Sequence, residues 1–256
     1  MDDFPRLYDL DTVDLVDDLD FYVALARRTG GPVLEIGCGT GRVLVPLAEA
    51  GFQVTGVDND PRMLARARAR VERAGVGERA RLVEADARTL SLYEHFALAI
   101  VPLNSFLHFV SDEDQIAVLG SILDHLRPGG LLVLDLPNPE PALLGEQGGQ
   151  VVLEWVRTDA ETGAEVSKLR SQRVDTARQL VELTLLFDEA SEKGLRRRVY
   201  TLPLRYVYRR ELELLLEKCG FAVESVYGAY DLSEYASDSL KLIVLATLAD
   251  SPRPPI

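Results

Sequence analysis

Val33-Leu34-Glu35-Ile36 runs without a break into Gly37-Cys38-Gly39-Thr40-Gly41-Arg42, and few folds accommodate that order. The apolar run has two β-branched members and reads as a buried parallel strand. It empties into a turn with glycine at 37, 39 and 41, after which Val43, Leu44, Leu47 and Ala48 recur at helical spacing until Gly51. Glycines at a strand-to-helix turn let a ligand lie against bare backbone. The helix beyond offers unpaired N–H groups and the positive end of its dipole, so the matching ligand carries a carboxylate, a phosphate or another electron-rich group. Spacing narrows the choice. A dinucleotide fingerprint, G-x-G-x-x-G, needs a small residue at position 42, where this chain has Arg42. A turn of this kind also occurs as plain structure, and the rest of the chain has to decide.

The strand, turn and helix pattern repeats. Within residues 1–30, Leu15, Leu19, Tyr22, Val23 and Ala26 share one helical face, and Asp14, Asp17, Asp18 and Asp20 crowd its front as solvated carboxylates favoured by the dipole, not as metal ligands. A second strand, 53–57, ends in Asp58-Asn59-Asp60-Pro61. Pro61 opens a helix with Met63 and Leu64 inward and Arg62, Arg66, Arg70 and Arg73 on a solvated outer side. Strands follow at 81–84, leading to Ala85-Asp86-Ala87, and at 96–101, leading to Pro102-Leu103-Asn104-Ser105-Phe106-Leu107-His108. Ser111 caps a helix carrying Ile116, Leu119, Ile122 and Leu123, and Leu126-Arg127-Pro128-Gly129-Gly130 ends it before a fifth strand, 131–134, with Asp135. This succession predicts a doubly wound parallel sheet with its ligand site at the carboxyl ends of the strands. Asp58, about 20 residues past the glycine turn, has the place and chemistry to accept both hydroxyls of a ribose.

Composition changes after Pro137-Asn138-Pro139-Glu140-Pro141. A loop at 145–150 precedes segments 151–157, 165–174, 180–187 and 195–207, which alternate in strand fashion and predict an inserted antiparallel β-sheet. Arg196-Arg197-Arg198 lies on its last strand, where successive side chains point to opposite faces and form no single basic patch. A helix at 210–218 and strands at 221–227 and 240–248 complete the main sheet. The expected organisation is α/β, a Rossmann-like, mostly parallel seven-stranded sheet with an antiparallel insertion. Residues 1–140 form the core, 141–208 the insert, 209–250 the C-terminal part of the core and 251–256 a tail. Trp155, Tyr200, Tyr206 and Tyr208 make the insert an expected aromatic roof over an apolar, partly polar ligand pocket; an inserted sheet can also serve as the interface of a homodimer.

A formal charge of −13 argues against nucleic acid, whose phosphates require clustered Lys and Arg. No apolar run approaches membrane-spanning length and the chain start has no leader pattern, so neither a membrane nor export is expected and the location implied is cytoplasmic. Cys38 and Cys219 have no paired spacing, which leaves no disulfide or zinc site to expect. Cys38 reads as a small apolar filler inside the turn.

Taken together, Leu34-Glu35-Ile36-Gly37-Cys38-Gly39-Thr40-Gly41, Val57-Asp58, Ala85-Asp86-Ala87 and Leu126-Arg127-Pro128-Gly129-Gly130 resemble the motifs of class I S-adenosylmethionine-dependent methyltransferases. The resemblance implies that Glu35, Gly37, Cys38, Gly39 and Gly41 wrap the methionine end of S-adenosylmethionine. It further implies that Asp86 takes the adenine amino group, that the Ala87 N–H meets a ring nitrogen, and that a tyrosine of the leading segment, here Tyr8, closes over the cofactor. Asn59, Met63, Leu103 and His108 complete the implied cofactor set. Asn104-Ser105-Phe106-Leu107-His108 and the insert resemble the branch holding glycine and sarcosine N-methyltransferases and related small-molecule N- and O-methyltransferases. One departure stands out: the glycine-methylating members carry a carboxylate-clamping arginine just after the fifth strand, and this chain has Leu136-Pro137-Asn138 there.

The implied reaction is in-line methyl transfer to a nitrogen or oxygen of a small-molecule acceptor. Alignment of the nucleophile and exclusion of water can supply about 7 to 11 kcal/mol of such a barrier. His108 is the expected proton acceptor, with Tyr206 and Tyr208 as secondary catalytic candidates. A catalytically silent S-adenosylmethionine-binding sensor or partner subunit is the rival reading, because cofactor motifs specify binding and not turnover.

Overall fold

Two-sided burial organises the main sheet. In the computed structural model, which describes residues 3–139, 149–192 and 194–249, β1 (Val33–Ile36) and β4 (Phe96–Val101) are buried along their whole length. β2 (Val54–Asp58) and β3 (Ala80–Glu84) flank β1, and β5 (Leu126–Pro137) lies beyond β4. β1 pairs in parallel with both β2 and β4, bringing Val33 opposite Val54 on one side and Leu98 on the other. The sheet closes with two antiparallel strands, Lys241–Leu248 against β5 and Phe221–Tyr227 at the edge, giving the seven strands expected. Strand order reverses between β1 and β4, the position where open α/β sheets bind ligands.

Alternation along the central strands feeds two separate cores. Leu132, Leu134 and Leu136 face the side carrying α5 (Asp112–His125) and the last helix (Arg209–Lys218), whereas Leu131 and Val133 face that of α2 (Leu19–Thr29) and α3 (Leu44–Glu49). Helix α4 (Pro61–Ala74) starts where its sequence directs: Asp60 accepts from the Arg62 N–H and Pro61 occupies the first turn.

The first 30 residues differ from expectation. They form α1 (Phe4–Asp11), a turn and then α2, so Asp14 and Asp17 precede the helix instead of lining its front. Asp18 is not solvated: it is 2% exposed and bridges Arg42 through paired contacts of 2.5 and 2.7 Å. The arginine row on α4 is only partly a solvent face, because Arg66 and Arg70 hold Asp9 of α1 at 2.5 and 2.9 Å. The arginine row finds its partner on α1 and Asp18 finds its own just past the glycine turn, and neither partner is visible in local sequence.

The insert is a meander, β6 (Val152–Thr158), β7 (Glu165–Asp175), β8 (Leu180–Ser191) and β9 (Gly194–Arg205), in sequential order. Its inner face packs on α1 through Leu7, Val166, Leu185 and Phe187, with Phe4, Trp155 and Tyr200 around them. Lys168 and Trp155 reach Asp11 at 2.6 and 2.9 Å, and Arg6 pairs with Asp159 and Glu189. Arg198 points inward to Asp3 and Glu189 while Arg197 points outward to Asp188, as the strand period requires. Most of the loop expected at 145–150, and the tail at 251–256, lie outside the described residues. Among the described residues no helix is long and apolar enough to cross a membrane.

Candidate active site

A cavity of about 730 Å³ opens at the β1/β4 reversal, between the strand ends, α1 and the inner face of the insert. That volume is in the upper part of the range for ligand pockets, roughly 300 to 1,000 Å³. The glycine turn forms one wall. Val57 O accepts from the N–H groups of both Gly37 and Cys38, at 2.8 and 3.0 Å, which fixes the turn on β2. Gly37 has φ +69°, and a Cβ built on it would lie 2.7 Å from Ser105 Oγ, so only glycine fits. Gly39 shows bare backbone toward Tyr8 of α1 and donates its N–H to Asp58 Oδ2 at 2.8 Å. Asp58 Oδ1 accepts from Asp60 N at 2.9 Å, and burial is the main cause holding its pKa above the usual carboxylate range. Each carboxylate oxygen retains a further lone pair for a ligand hydroxyl.

Of the residues expected from sequence, Tyr8, Gly37, Gly39, Asp58, Asn59, Met63, Asp86, Ala87, Leu103 and His108 line this one cavity. Asp86 accepts from the Arg88 N–H and pairs with the Arg88 guanidinium, which lowers its pKa; Arg88 also reaches Asp114 at 2.8 Å. His108 faces the cavity while remaining solvent-accessible, and desolvation by the protein on its cavity side lowers its pKa, favouring the neutral imidazole at pH 7. Leu103 adopts φ +51°, an uncommon conformation for leucine, and its N–H donates to Asp135 Oδ2 at 3.3 Å. Asp135 is fully buried and also accepts from Tyr22, Tyr230 and Lys241 at 3.0, 2.8 and 3.1 Å.

Other expected site residues do not line the cavity. Tyr206 is 2% exposed within the main core, and Tyr208 is 43% exposed at the start of the last helix. β9 ends at Arg205, and both tyrosines lie where the chain passes from it into the last helix, outside the cavity lining. Trp155 and Tyr200 pack against α1, so the aromatic roof is replaced by an aliphatic one of Val181, Leu183, Leu185, Leu202 and Leu204. Cys38 is buried against Gly56, where an added Cβ would come within 2.9 Å of its sulfur. Gly41 approaches Ala67 of α4 and serves helix packing. Asn138, in the stretch that lacks the expected arginine, turns into the fold and bonds Ser239 O and Tyr235 Oη at 2.8 and 2.9 Å.

Glu35 is behind the turn at 2% exposure, and one of its carboxylate oxygens has no hydrogen-bond partner. Burial raises its pKa to about 8 against the opposing pull of Arg42. Sequence reasoning missed the Asp18–Arg42 pair, the Asp135 cluster and the insert residues Glu154, Lys168, Arg170 and Gln172 on the cavity wall. For Asp135 a signal existed, a carboxylate closing an otherwise apolar strand.

The cavity wall carries six carboxylates, Asp11, Asp58, Asp60, Asp86, Asp114 and Glu154, against three cations, Arg88, Lys168 and Arg170. Every cation is paired with a carboxylate of the same wall: Arg88 with Asp86 and Asp114, Lys168 with Asp11 and Glu154, Arg170 with Glu154. An acidic cavity with no uncommitted cation suits a positively charged ligand.

Residues 33–130 match a methyltransferase domain family. The chain is 28% identical to the cypemycin N-terminal methyltransferase of a Streptomyces species, over 84% of this chain and 82% of that one. The CcbJ methyltransferase of Streptomyces caelestis has the same fold, with a TM-score of 0.80 at 24% identity over 91% of this chain and 90% of that one. A glycine/sarcosine N-methyltransferase from Aphanothece halophytica is 34% identical over 86% of this chain and 77% of its own length. With that identity spread over both chains, and the glycine turn, Asp58 and Asp86 on one cavity, the chain belongs to the class I S-adenosylmethionine-dependent methyltransferases.

Proposed function

We propose that the protein methylates an amine nitrogen of a small molecule. The carboxylate excess on the cavity wall carries this reading: it attracts both a sulfonium and a protonated amine and gives an anionic acceptor no cation to meet. The names of the two sequence relatives, an N-terminal and a glycine/sarcosine N-methyltransferase, point the same way. The residues present fit the cofactor: a glycine turn no side chain could share, an orphaned Glu35 oxygen, and Asp58 with lone pairs to spare. When bound, S-adenosylmethionine would supply an electrophilic methyl group, the acceptor lone pair forming the new C–N bond while the S–CH₃ electron pair remains on sulfur.

The chain's own work is to bind, orient and deprotonate. Gly37 and Gly39 would seat the methionine end beneath Tyr8, and Glu35 behind the turn would offer charge to its ammonium once it ionises. Asp58 would take the ribose, Asp86 and the Ala87 N–H would take the adenine, and Asn59, Met63 and Leu103 would complete the walls. His108, neutral at pH 7, accepts the proton that the amine must lose. Of the two uses open to the insert, the cavity-facing residues of β7, β8 and β9 support acceptor binding. Incubating the protein with methyl-labelled cofactor and a metabolite pool tests the proposal. Label in amine products is expected, and label confined to hydroxyl or carboxylate oxygens would overturn it.

Two measurements probe the cofactor assignments. Asp58→Ala should weaken S-adenosylmethionine by about 1.5 to 3 kcal/mol, the worth of hydrogen bonds to a charged group, without unfolding the protein. An unchanged dissociation constant would remove Asp58 from the site. Glu35 gives a pH signature. In the free protein its pKa of about 8, above the ordinary glutamate value of 4.5, keeps it protonated at pH 7. A cationic ligand beside it favours the ionised form, so binding at pH 7 should release a proton, and affinity should climb with pH and level off above about 8. Stability of the free protein runs the other way. The folded state holds a proton that the unfolded state has lost, so stability falls as pH rises from 4.5 through about 8. Calorimetry in two buffers of different ionisation enthalpy reads the released proton; none would place Glu35 outside the cofactor's reach.

A further inference from the structure

The end of the cavity away from the glycine turn is built from two materials. The inner faces of β8 and β9 present Leu183 opposite Leu202 and Val181 opposite Leu204, two cross-strand pairs that make a continuous aliphatic wall with Leu185. Beside it β6 and β7 contribute Glu154, Lys168, Arg170 and Gln172. Those charges are committed to each other: Glu154 holds Arg170 at 2.6 Å and Lys168 at 2.7 Å, and Lys168 also holds Asp11 at 2.6 Å. Lys168 is buried, so it cannot swing out to meet a ligand without breaking its ion pairs with both Asp11 and Glu154.

We infer that the acceptor is an amine whose non-reacting part is an uncharged, mainly aliphatic body seated on the Val181, Leu183, Leu202 and Leu204 wall, and that it carries no carboxylate. The inference rests on the amine reading above and narrows it. A carboxylate brought to this end would meet the like charges of Glu154 and Asp11 and would have to compete with Glu154 for Arg170, exchanging one ion pair for another with no gain. A compact polar amine such as glycine would leave the aliphatic wall facing water. An alkyl or alicyclic amine covers that wall and directs its nitrogen toward the transferable methyl and His108, with its proton passing to the imidazole.

Paired acceptors with methyl-labelled S-adenosylmethionine give the test: 3-methylbutylamine against leucine, which adds a carboxylate to the same skeleton, and methylamine against glycine. The kcat/KM for 3-methylbutylamine should exceed those for leucine and methylamine by about tenfold or more, the usual weight of hydrophobic pocket contacts. In Leu183→Asn and in Leu202→Asn that advantage over methylamine should shrink by about tenfold while cofactor affinity, which also reports folding, stays unchanged. Glu154→Gln, which loosens Arg170, should raise leucine relative to 3-methylbutylamine. Preference for leucine or glycine in the unaltered protein, or an unchanged ratio in folded Leu183→Asn and Leu202→Asn, overturns the inference and leaves the amine reading standing. Cofactor binding with label on none of the four amines overturns both.

Discussion

Asp18→Ala is expected to lower the free energy of unfolding by about 3 to 5 kcal/mol, the cost of stranding one member of a buried ion pair. Asp18 and Arg42 meet through two short contacts with the Asp18 side chain 3% exposed, and Arg42 also donates to Leu15 O at 2.8 Å. Removing the carboxylate leaves a guanidinium that is itself nearly enclosed, behind the turn that holds the cofactor. Urea midpoints measure the loss, and Asp20→Ala, an exposed change two residues away, should move the free energy by no more than about 0.5 kcal/mol. A drop below about 1 kcal/mol for Asp18→Ala would mean that water shares the pair, as at surface ion pairs.

Gly37→Ala should cost cofactor affinity about a hundredfold or more, near 3 kcal/mol. Two physical effects combine there. The positive φ strains any residue with a Cβ, and that Cβ would lie 2.7 Å from Ser105 Oγ and 2.9 Å from its Cβ, forcing the turn away from the loop after β4. Gly51→Ala separates the two, because Gly51 has φ +98° with nothing within 4 Å of where its Cβ would stand, and so carries strain alone. Calorimetric titration with S-adenosylmethionine should find Gly51→Ala close to the unaltered protein. Equal losses in the two variants would refute the close-approach explanation.

The sheet was legible because its signals are local. Each core strand is an apolar run bounded by glycine, proline or a carboxylate, and β4 and the edge strand Phe221–Tyr227 fall on their expected residues. The insert was legible by alternation, with ends displaced by a few residues where ladder pairing continues past the apolar stretch, as at Asp188–Ser191 of β8. What the sequence withheld was long-range. Asp18 looks like a helix-front carboxylate until Arg42 is brought against it, and Arg66 looks solvated until α1 crosses α4. Tyr206 misled through proximity in sequence: it leaves the insert where the chain rejoins the core, yet its ring faces the apolar layer under the last helix. Alanine at Tyr206 is therefore a packing change, not a test of acceptor chemistry. Strand parity identifies the inner face of β8 and β9 only once one contact fixes which parity points inward, and that contact is with α1, far away at the start of the chain.

The acidic lining of the cavity bears on the end of the reaction cycle as well as its start. Methyl transfer removes the positive charge from sulfur, so the spent cofactor loses the attraction that the excess of wall carboxylates over cations offered the fresh one. The methylated amine keeps its charge until it gives up a proton to water. Departure of the thioether is thus favoured by the same field that drew in the sulfonium, and added salt should narrow the difference in affinity between the two forms.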